Sequence, residues 1–314
     1  MTESSITLRI KSKAFELGFS EIGITQPVSL TEESMHLTEW LSQKYNAGMQ
    51  WMERETEKRA NPYLVFPQAK SIICVAMNYF FPEKHSENPG TGKISRYAWG
   101  DDYHTIMTER MEKLLDFIKS ESPGIKGKIY TDTGPMMDKV WAVRSGIGWM
   151  GKHSNVITRK YSSWVFLGEI LLDIALDYDK PITGLCGTCT ACMDACPTKA
   201  IIKPYIVDSN KCISYLTIEH RDELPKKLLS EFHRWIYGCD ICQDICPWNR
   251  FQKITGEKAF YPRQENIAPN LIELAAMNRE EFSRRFRRSS IKRTKHTGLI
   301  RNVKGILESA ESSG

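Results

Sequence analysis

Eight of the nine cysteines in this 314-residue chain lie between Cys186 and Cys246. Cys186, Cys189, Cys192 and Cys196 form a C-x2-C-x2-C-x3-C run closed by Pro197. Cys239, Cys242 and Cys246 repeat its last three positions and are closed by Pro247, with Ile236 standing where the first cysteine of that run would be. Cys212 is the only other cysteine nearby. Gaps this short bend the backbone tightly around a common centre, so the segment cannot run as an ordinary helix or strand, and the rest of the fold must be arranged around it.

The first run has the ligand spacing of bacterial ferredoxins, whose thiolates hold a 4Fe-4S cluster. In two-cluster ferredoxins the last cysteine of each run ligates the other run's cluster. That rule predicts Cys186, Cys189, Cys192 and Cys246 on one cluster, and Cys212, Cys239, Cys242 and Cys196 on the other. Zinc ribbons also use paired C-x2-C units, but they need neither the full run nor the proline after it. A disulfide framework would require an oxidising compartment. Residues 1–9 show no charged region followed by an apolar one, so the chain reads as cytoplasmic. Residues 164–176 are its most apolar stretch, interrupted by Glu169 and Asp173 and too short to span a bilayer.

Ahead of the cysteines, helical and strand-like patterns alternate. The periodicity predicts helices over 6–18, 31–45, 106–120 and 136–144, and strands over 19–24, 71–79 and 128–131. This alternation predicts an α/β first domain over 1–178, followed by a ferredoxin-like module over 179–250 and a helical, basic segment over 251–314. Asp132 falls at the turn between the 128–131 strand and the next helix, where side chains point into sites. Gly146, Gly148 and Gly151 spell G-x-G-x-x-G, but a helix precedes them and a polar loop follows. The dinucleotide-binding context is therefore missing, and the glycines read as a loop that another cofactor could approach closely.

The net charge of +5 is unevenly placed: nine Lys or Arg and no acid lie between Arg284 and Lys304, leaving the remainder net acidic. Such a run is either a solvated helix face or the electrostatic footprint of a nucleic-acid contact. Paired clusters carry single electrons, and a large domain ahead of them implies something to reduce. Residues alone thus reach a redox protein with a site in its first half and a basic patch near its end.

The stretches Arg96–His104 (RYAWGDDYH), Tyr130–Pro135 (YTDTGP), Arg144–Lys152 (RSGIGWMGK) and Ser214–Glu219 (SYLTIE), taken with both cysteine runs, closely resemble the epoxyqueuosine reductase family. The resemblance covers about residues 6–307. It implies a cobalamin-binding α/β (α+β) domain related to that of reductive dehalogenases, joined to a module with two 4Fe-4S clusters. The implied reaction removes the epoxide oxygen of a modified base at the tRNA wobble position. Asp132, in the family's D-T-[GA]-P motif, would be the proton donor.

By the same resemblance, Glu55, Ser95, Asp132, His153, Val156, Ser214 and Asp240 would touch cobalamin. Arg221, Arg284, Arg285, Arg287, Arg288, Lys292, Arg293 and Lys295 would meet tRNA carrying epoxyqueuosine. Asp102-Tyr103-His104 begins like the D-x-H-x-x-G box that gives a histidine to cobalt, but Met107 replaces its glycine, so cobalt without a protein ligand is expected. The partners expected are an external electron donor such as flavodoxin or ferredoxin and the tRNA anticodon stem-loop, with no membrane and a monomeric chain. Many family members continue into HEAT-like repeats beyond the segment matching 291–307, so a short form is expected. Two other readings stand: a dehalogenase-like cobalamin and iron–sulfur enzyme, and an electron carrier or RNA-binding protein with structural clusters.

Overall fold

The computed structural model describes residues 3–311. Its first half is built on β1 (Glu21–Thr25), β2 (Ser71–Asn78), β3 (Lys93–Ile94), β4 (Gly127–Tyr130), β5 (Trp149–Met150), β6 (Val156–Ile157) and β7 (Val165–Leu172). Four of these strands form one sheet in the order β1-β2-β7-β4, antiparallel at every pairing. All eight residues of β2 are buried. A continuous apolar strand often signals a parallel sheet; here the cause is burial on both faces, because helices cover the sheet above and below.

The helices that position the site are α1 (Glu3–Glu16), α2 (Thr31–Ser42), α3 (Thr56–Ala60), α4 (Tyr103–Glu121) and α5 (Asp138–Arg144). Asp102 caps α4, its carboxylate accepting the His104 backbone N–H at 3.1 Å. The helical spacing of Met107, Met111, Leu114 and Ile118 then lays one apolar stripe, together with Ile10 and Ala14 of α1, against Ile73, Val75 and Ile170. On the opposite face, Trp141 and Ala142 of α5 pack on Ile72, Cys74 and Leu171. Cys74 is core packing, as its apolar strand predicts.

The segments between and after the cysteines pack onto the first half of the chain. The strand Trp235–Tyr237 pairs in parallel with β3. Helix Ile213–Ile218 and the C-terminal helix Lys295–Glu311 bury Leu216, Leu299 and Val303 in the same core as Ile94, Trp99 and Trp235. The basic segment is thus a wall of the molecule. Gly238 shows how closely the halves approach: its φ is +68°, and an added Cβ would lie 2.5 Å from Ser95 Cβ.

The glycines at 146–151 also pack against the protein itself. Gly146 ends α5 with φ +78°, and a Cβ on Gly148 would fall 2.2 Å from the Ile157 carbonyl oxygen, inside the β5–β6 hairpin. Close backbone packing accounts for them, where the sequence had suggested approach by a cofactor.

Candidate active site and its cysteine clusters

The module over 186–246 brings its cysteines together in two groups. Cys186, Cys189, Cys192 and Cys246 line one small cavity of about 150 Å³, with Leu185, Lys152 and Trp248 at its edges. Burial, and then repulsion from Cys186, Cys246 and Cys189, pushes the Cys192 thiol up to about 11. In the second group, burial and the proximity of Cys212 and Cys196 push Cys242 up, and burial with Cys242 and Cys212 nearby does the same to Cys239. Eight thiols crowded into two groups are a donor set suited to cationic iron, whose charge would offset the mutual repulsion of their thiolates. Cys189 is exposed, whereas Cys212 also lines the much larger cavity next door.

That second cavity measures about 1150 Å³. Ordinary small-molecule sites hold roughly 300–1,000 Å³. Its walls come from every part of the chain: Asp132, Lys139 and Val156 from the first half, Cys212 and Ser214 from the cysteine module, and Lys292, Arg293 and Lys295 from the C-terminal segment.

Asp132 stands at this cavity in a left-handed backbone conformation, φ +55°. Such a conformation is uncommon outside glycine and is retained where surrounding structure enforces it, often at functional sites. α5 begins only at Asp138, so Asp132 precedes the helix by a whole loop and its N-terminus does not set the carboxylate's charge. The partners are instead Tyr103, whose hydroxyl donates to Oδ2 at 2.7 Å, and His104, whose Nε2 lies 3.6 Å away. Burial pushes the Asp132 carboxyl up, but the hydrogen bonds from His104 and Tyr103 outweigh it and hold the group below its ordinary value. Behind it His104 Nδ1 meets Asp102 Oδ1 at 2.7 Å.

Two more acids lie beneath the cavity. Glu169, at the centre of β7, is fully buried, and neither of its carboxylate oxygens accepts a hydrogen bond from a donor among the described residues. Burial, and then Asp138, pushes it well above the ordinary value, and Asp138 itself rises to about 6. Two neighbouring carboxyls in a poorly solvated place are stable when one keeps its proton.

Of the residues expected at a cofactor, Asp132, Val156 and Ser214 line the large cavity, and Glu55, Ser95, His153 and Asp240 are not on its wall. Glu55 is paired with Lys58 at the surface. Asp240 is fully buried and accepts from the Ser95 hydroxyl, the Arg96 backbone N–H at 2.9 Å and the Arg96 guanidinium at 3.2 Å. His153 lines the small cysteine cavity, and burial pushes it down to about 4. Ser95 and Asp240 are thus bonded to each other and to Arg96 inside the protein, while Glu55 is exposed.

The basic segment divides similarly. Lys292, Arg293 and Lys295 stand at the cavity rim, and Arg284 and Arg287 are exposed. Arg285 donates to the Glu265 carbonyl, and Arg288 pairs with Asp101 at 3.1 Å. Arg293 pairs with Glu219 at 2.7 Å, while Arg221 donates to the carbonyls of Ile218, Arg293 and Thr294. The run lacks acids in sequence, yet folding supplies them from elsewhere.

Tyr103 and His104 entered the sequence analysis only as part of an incomplete cobalt-ligand box, and Asp138 and Lys139 were given no role there. The visible signal was Asp102-Tyr103-His104, an N-cap aspartate followed by two titratable rings at the mouth of α4.

Residues 59–133 match the family described as "Epoxyqueuosine reductase QueG, DUF1730", and residues 185–249 the "4Fe-4S double cluster binding domain". An epoxyqueuosine reductase of Cellulophaga algicola is 45% identical over 94% of this chain and 95% of that protein. One of Escherichia coli is 40% identical over 98% of this chain and 82% of that protein. Among solved structures, an epoxyqueuosine reductase bound to an epoxyqueuosine-modified tRNA-Tyr stem loop superposes with a TM-score of 0.92 at 31% identity, covering 98% of this chain and 82% of that one. One from Streptococcus thermophilus superposes at 0.89 with 28% identity.

Proposed function

The chain belongs to the epoxyqueuosine reductase family, and from that membership we propose that it reduces epoxyqueuosine in tRNA to queuosine. The observation that carries the reading is the meeting of three things at one cavity: a cysteine of the second group, the acid Asp132 and the rim of basic side chains. Deoxygenation of an epoxide to an alkene takes up two electrons and two protons and releases water. Cys186, Cys189, Cys192 and Cys246 would hold one cluster and Cys196, Cys212, Cys239 and Cys242 the other, and these would supply single-electron transfer from a ferredoxin or flavodoxin. A plain electron carrier would need no cavity of this size.

The cavity suits cobalamin in volume and in its mixed apolar and polar walls, with Asp132, Val156 and Ser214 placed to contact it. When bound, cobalamin supplies a cobalt centre that is reduced one electron at a time. Asp132 delivers a proton to the departing oxygen, because alkoxide is a poor leaving group near neutral pH. Lys292, Arg293 and Lys295 at the rim hold the phosphates of the anticodon stem, supported by Arg284 and Arg287, while Arg221 orders the 293–294 turn. Arg285 and Arg288 act there through the contacts that fix the segment. The enzyme works as a cytoplasmic monomer; in the described residues no helix is long and apolar enough to cross a membrane.

The test is nucleoside analysis of epoxyqueuosine-containing tRNA after anaerobic incubation with the cluster- and cobalamin-loaded protein and a reductant. Queuosine is expected from the wild type, and Asp132→Asn should lose turnover while retaining both cofactors. Persistence of epoxyqueuosine with the wild type would sink the assignment.

A further inference from the structure

We propose that His104 is the proton reservoir of this site, reloading Asp132 through its Nε2–H, with Asp102 and Tyr103 fixing the relay in place. This inference rests on the function just described.

The reaction's own balance raises the need. The two C–O bonds of the epoxide break in turn, and the oxygen takes one proton at each scission to leave as water, while two electrons arrive through the clusters. Asp132 rests as the carboxylate and must be given a proton before each scission. It is also ill suited to storing that proton: two donors face it, and the balance of its surroundings favours the carboxylate.

The adjoining imidazole has the opposite setting. His104 lies between two carboxylates, with Nδ1 2.7 Å from Asp102 Oδ1 and Nε2 3.6 Å from Asp132 Oδ2. Burial pushes its pKa down, but both carboxylates act against this and carry it up to about 9, so the ring is an imidazolium at neutral pH. An acid that keeps its proton at neutral pH, yet lies near that pH, is well suited to general acid work.

The ring is also held rigidly. Asp102 Oδ1 accepts the backbone N–H of His104 at 3.1 Å as well as Nδ1, anchoring the ring to the first turn of α4. The Tyr103 ring stacks on His104 at 4.0 Å and on Phe166 at 4.2 Å, while its hydroxyl holds the shared Asp132 oxygen. The other charged groups around this cavity are Lys139 and Asp138 from α5 and Lys292, Arg293 and Lys295 from the C-terminal segment, with Arg293 paired to Glu219.

The step balances simply. The Asp132 carboxylate takes the Nε2 proton of His104 and gives it to the alkoxide as the first C–O bond breaks, and His104 regains a proton from solvent. The same transfer, repeated, supplies the second proton as the second C–O bond breaks. His104 is left neutral, its Nδ1–H still donated to Asp102, and regains a proton from solvent after water leaves.

His104→Gln keeps an amide N–H near the Nε2 position but holds no acidic proton. In the cobalamin- and cluster-loaded enzyme, kcat is expected to fall on the order of 100-fold with KM for tRNA unchanged. The wild type is expected to lose activity above pH about 9, and that alkaline limb should be absent from the variant. A measurement independent of turnover is nitrogen NMR of 15N-histidine protein carrying oxidised clusters without cobalamin: His104 should titrate near 9, and distinctly lower in Asp132→Asn and in Asp102→Asn. Titration near the ordinary value of about 6.5 overturns the reservoir. So does a His104→Gln enzyme with wild-type turnover and an unchanged alkaline limb, which would leave the function standing. A wild type that leaves epoxyqueuosine intact removes both.

Discussion

Arg96 and Asp240 join the first half of the chain to the cysteine module. The Arg96 backbone N–H donates to Asp240 Oδ2 at 2.9 Å and its guanidinium donates to the same oxygen at 3.2 Å, with Asp240 fully buried and Arg96 nearly so. The guanidinium also reaches Asp244 at 2.8 Å, and it packs over the rings of Trp99 and Trp164. Removing one partner of a buried pair leaves an uncompensated charge, at a cost of about 3–5 kcal/mol. Asp240→Ala is therefore expected to lower the thermal unfolding midpoint and loosen the adjoining cluster on Cys239 and Cys242, as read by melting and by iron content. Loss of cobalamin alone, with stability intact, would mean that Asp240 faces the cofactor.

The grouping of cysteines predicts which substitutions act alike. Each 4Fe-4S cluster carries four irons, so the loaded chain holds about eight. Cys189→Ser and Cys246→Ser should each reduce this to about four, and the double variant should lose no more, since both residues line one cavity. Cys212→Ser combined with Cys189→Ser should lose both clusters. Iron analysis with electron paramagnetic resonance distinguishes these patterns, and additive loss on combining Cys189→Ser with Cys246→Ser would contradict the crossed arrangement.

Glu169 predicts an unusual pH dependence of stability. Its carboxyl keeps its proton in the folded protein well above the ordinary value, whereas in the unfolded chain it ionises near pH 4.3. The unfolded state then binds fewer protons than the folded one, so this group's stabilising contribution is full below about pH 4.3 and declines as pH rises above it. Glu169→Gln, which cannot ionise, should flatten that decline and match or exceed the wild type in thermal stability at pH 8. A variant less stable than the wild type at every pH would mean that the carboxylate has a partner the glutamine cannot replace.

The rim predicts a division among cations. No ion pair of Lys292 or Lys295 occurs among the described residues, whereas Arg288 and Arg293 are paired with Asp101 and Glu219. Each lost phosphate contact should lower the slope of log affinity against log salt by about 0.7–0.9. Lys292→Ala and Lys295→Ala should show this drop in binding to an anticodon stem-loop without a change in melting temperature. Arg293→Ala should also disturb the turn that Arg221 holds. Slopes unchanged by either lysine substitution would place the RNA elsewhere.

Much of the architecture was legible because local rules wrote it. The spacing of Met107, Met111, Leu114 and Ile118 fixed α4 and its buried face. The unbroken apolar run of Ser71–Asn78 fixed a strand covered on both sides, though not its antiparallel partners, since burial selects apolar residues regardless of strand direction. Ser95 and Asp240 read as cofactor contacts because polar residues in matching motifs suggest a ligand. The bonds that Ser95 and Arg96 both make to Asp240 came into view only when the two halves were folded together.

The sequence alone determined the two cysteine runs, because thiolate spacing is a property of a short stretch of backbone and survives in one dimension. It also determined the position of Asp132 between a strand and a helix. The tertiary structure decided what surrounds these groups. It brought Cys246 to the cavity of Cys189, gave the acid-free basic run the distant acids Asp101 and Glu219, and set the imidazole of His104 between Asp102 and Asp132. Charge and proton affinity depend on neighbours a few ångströms away in space, and most of those neighbours are far away along the chain.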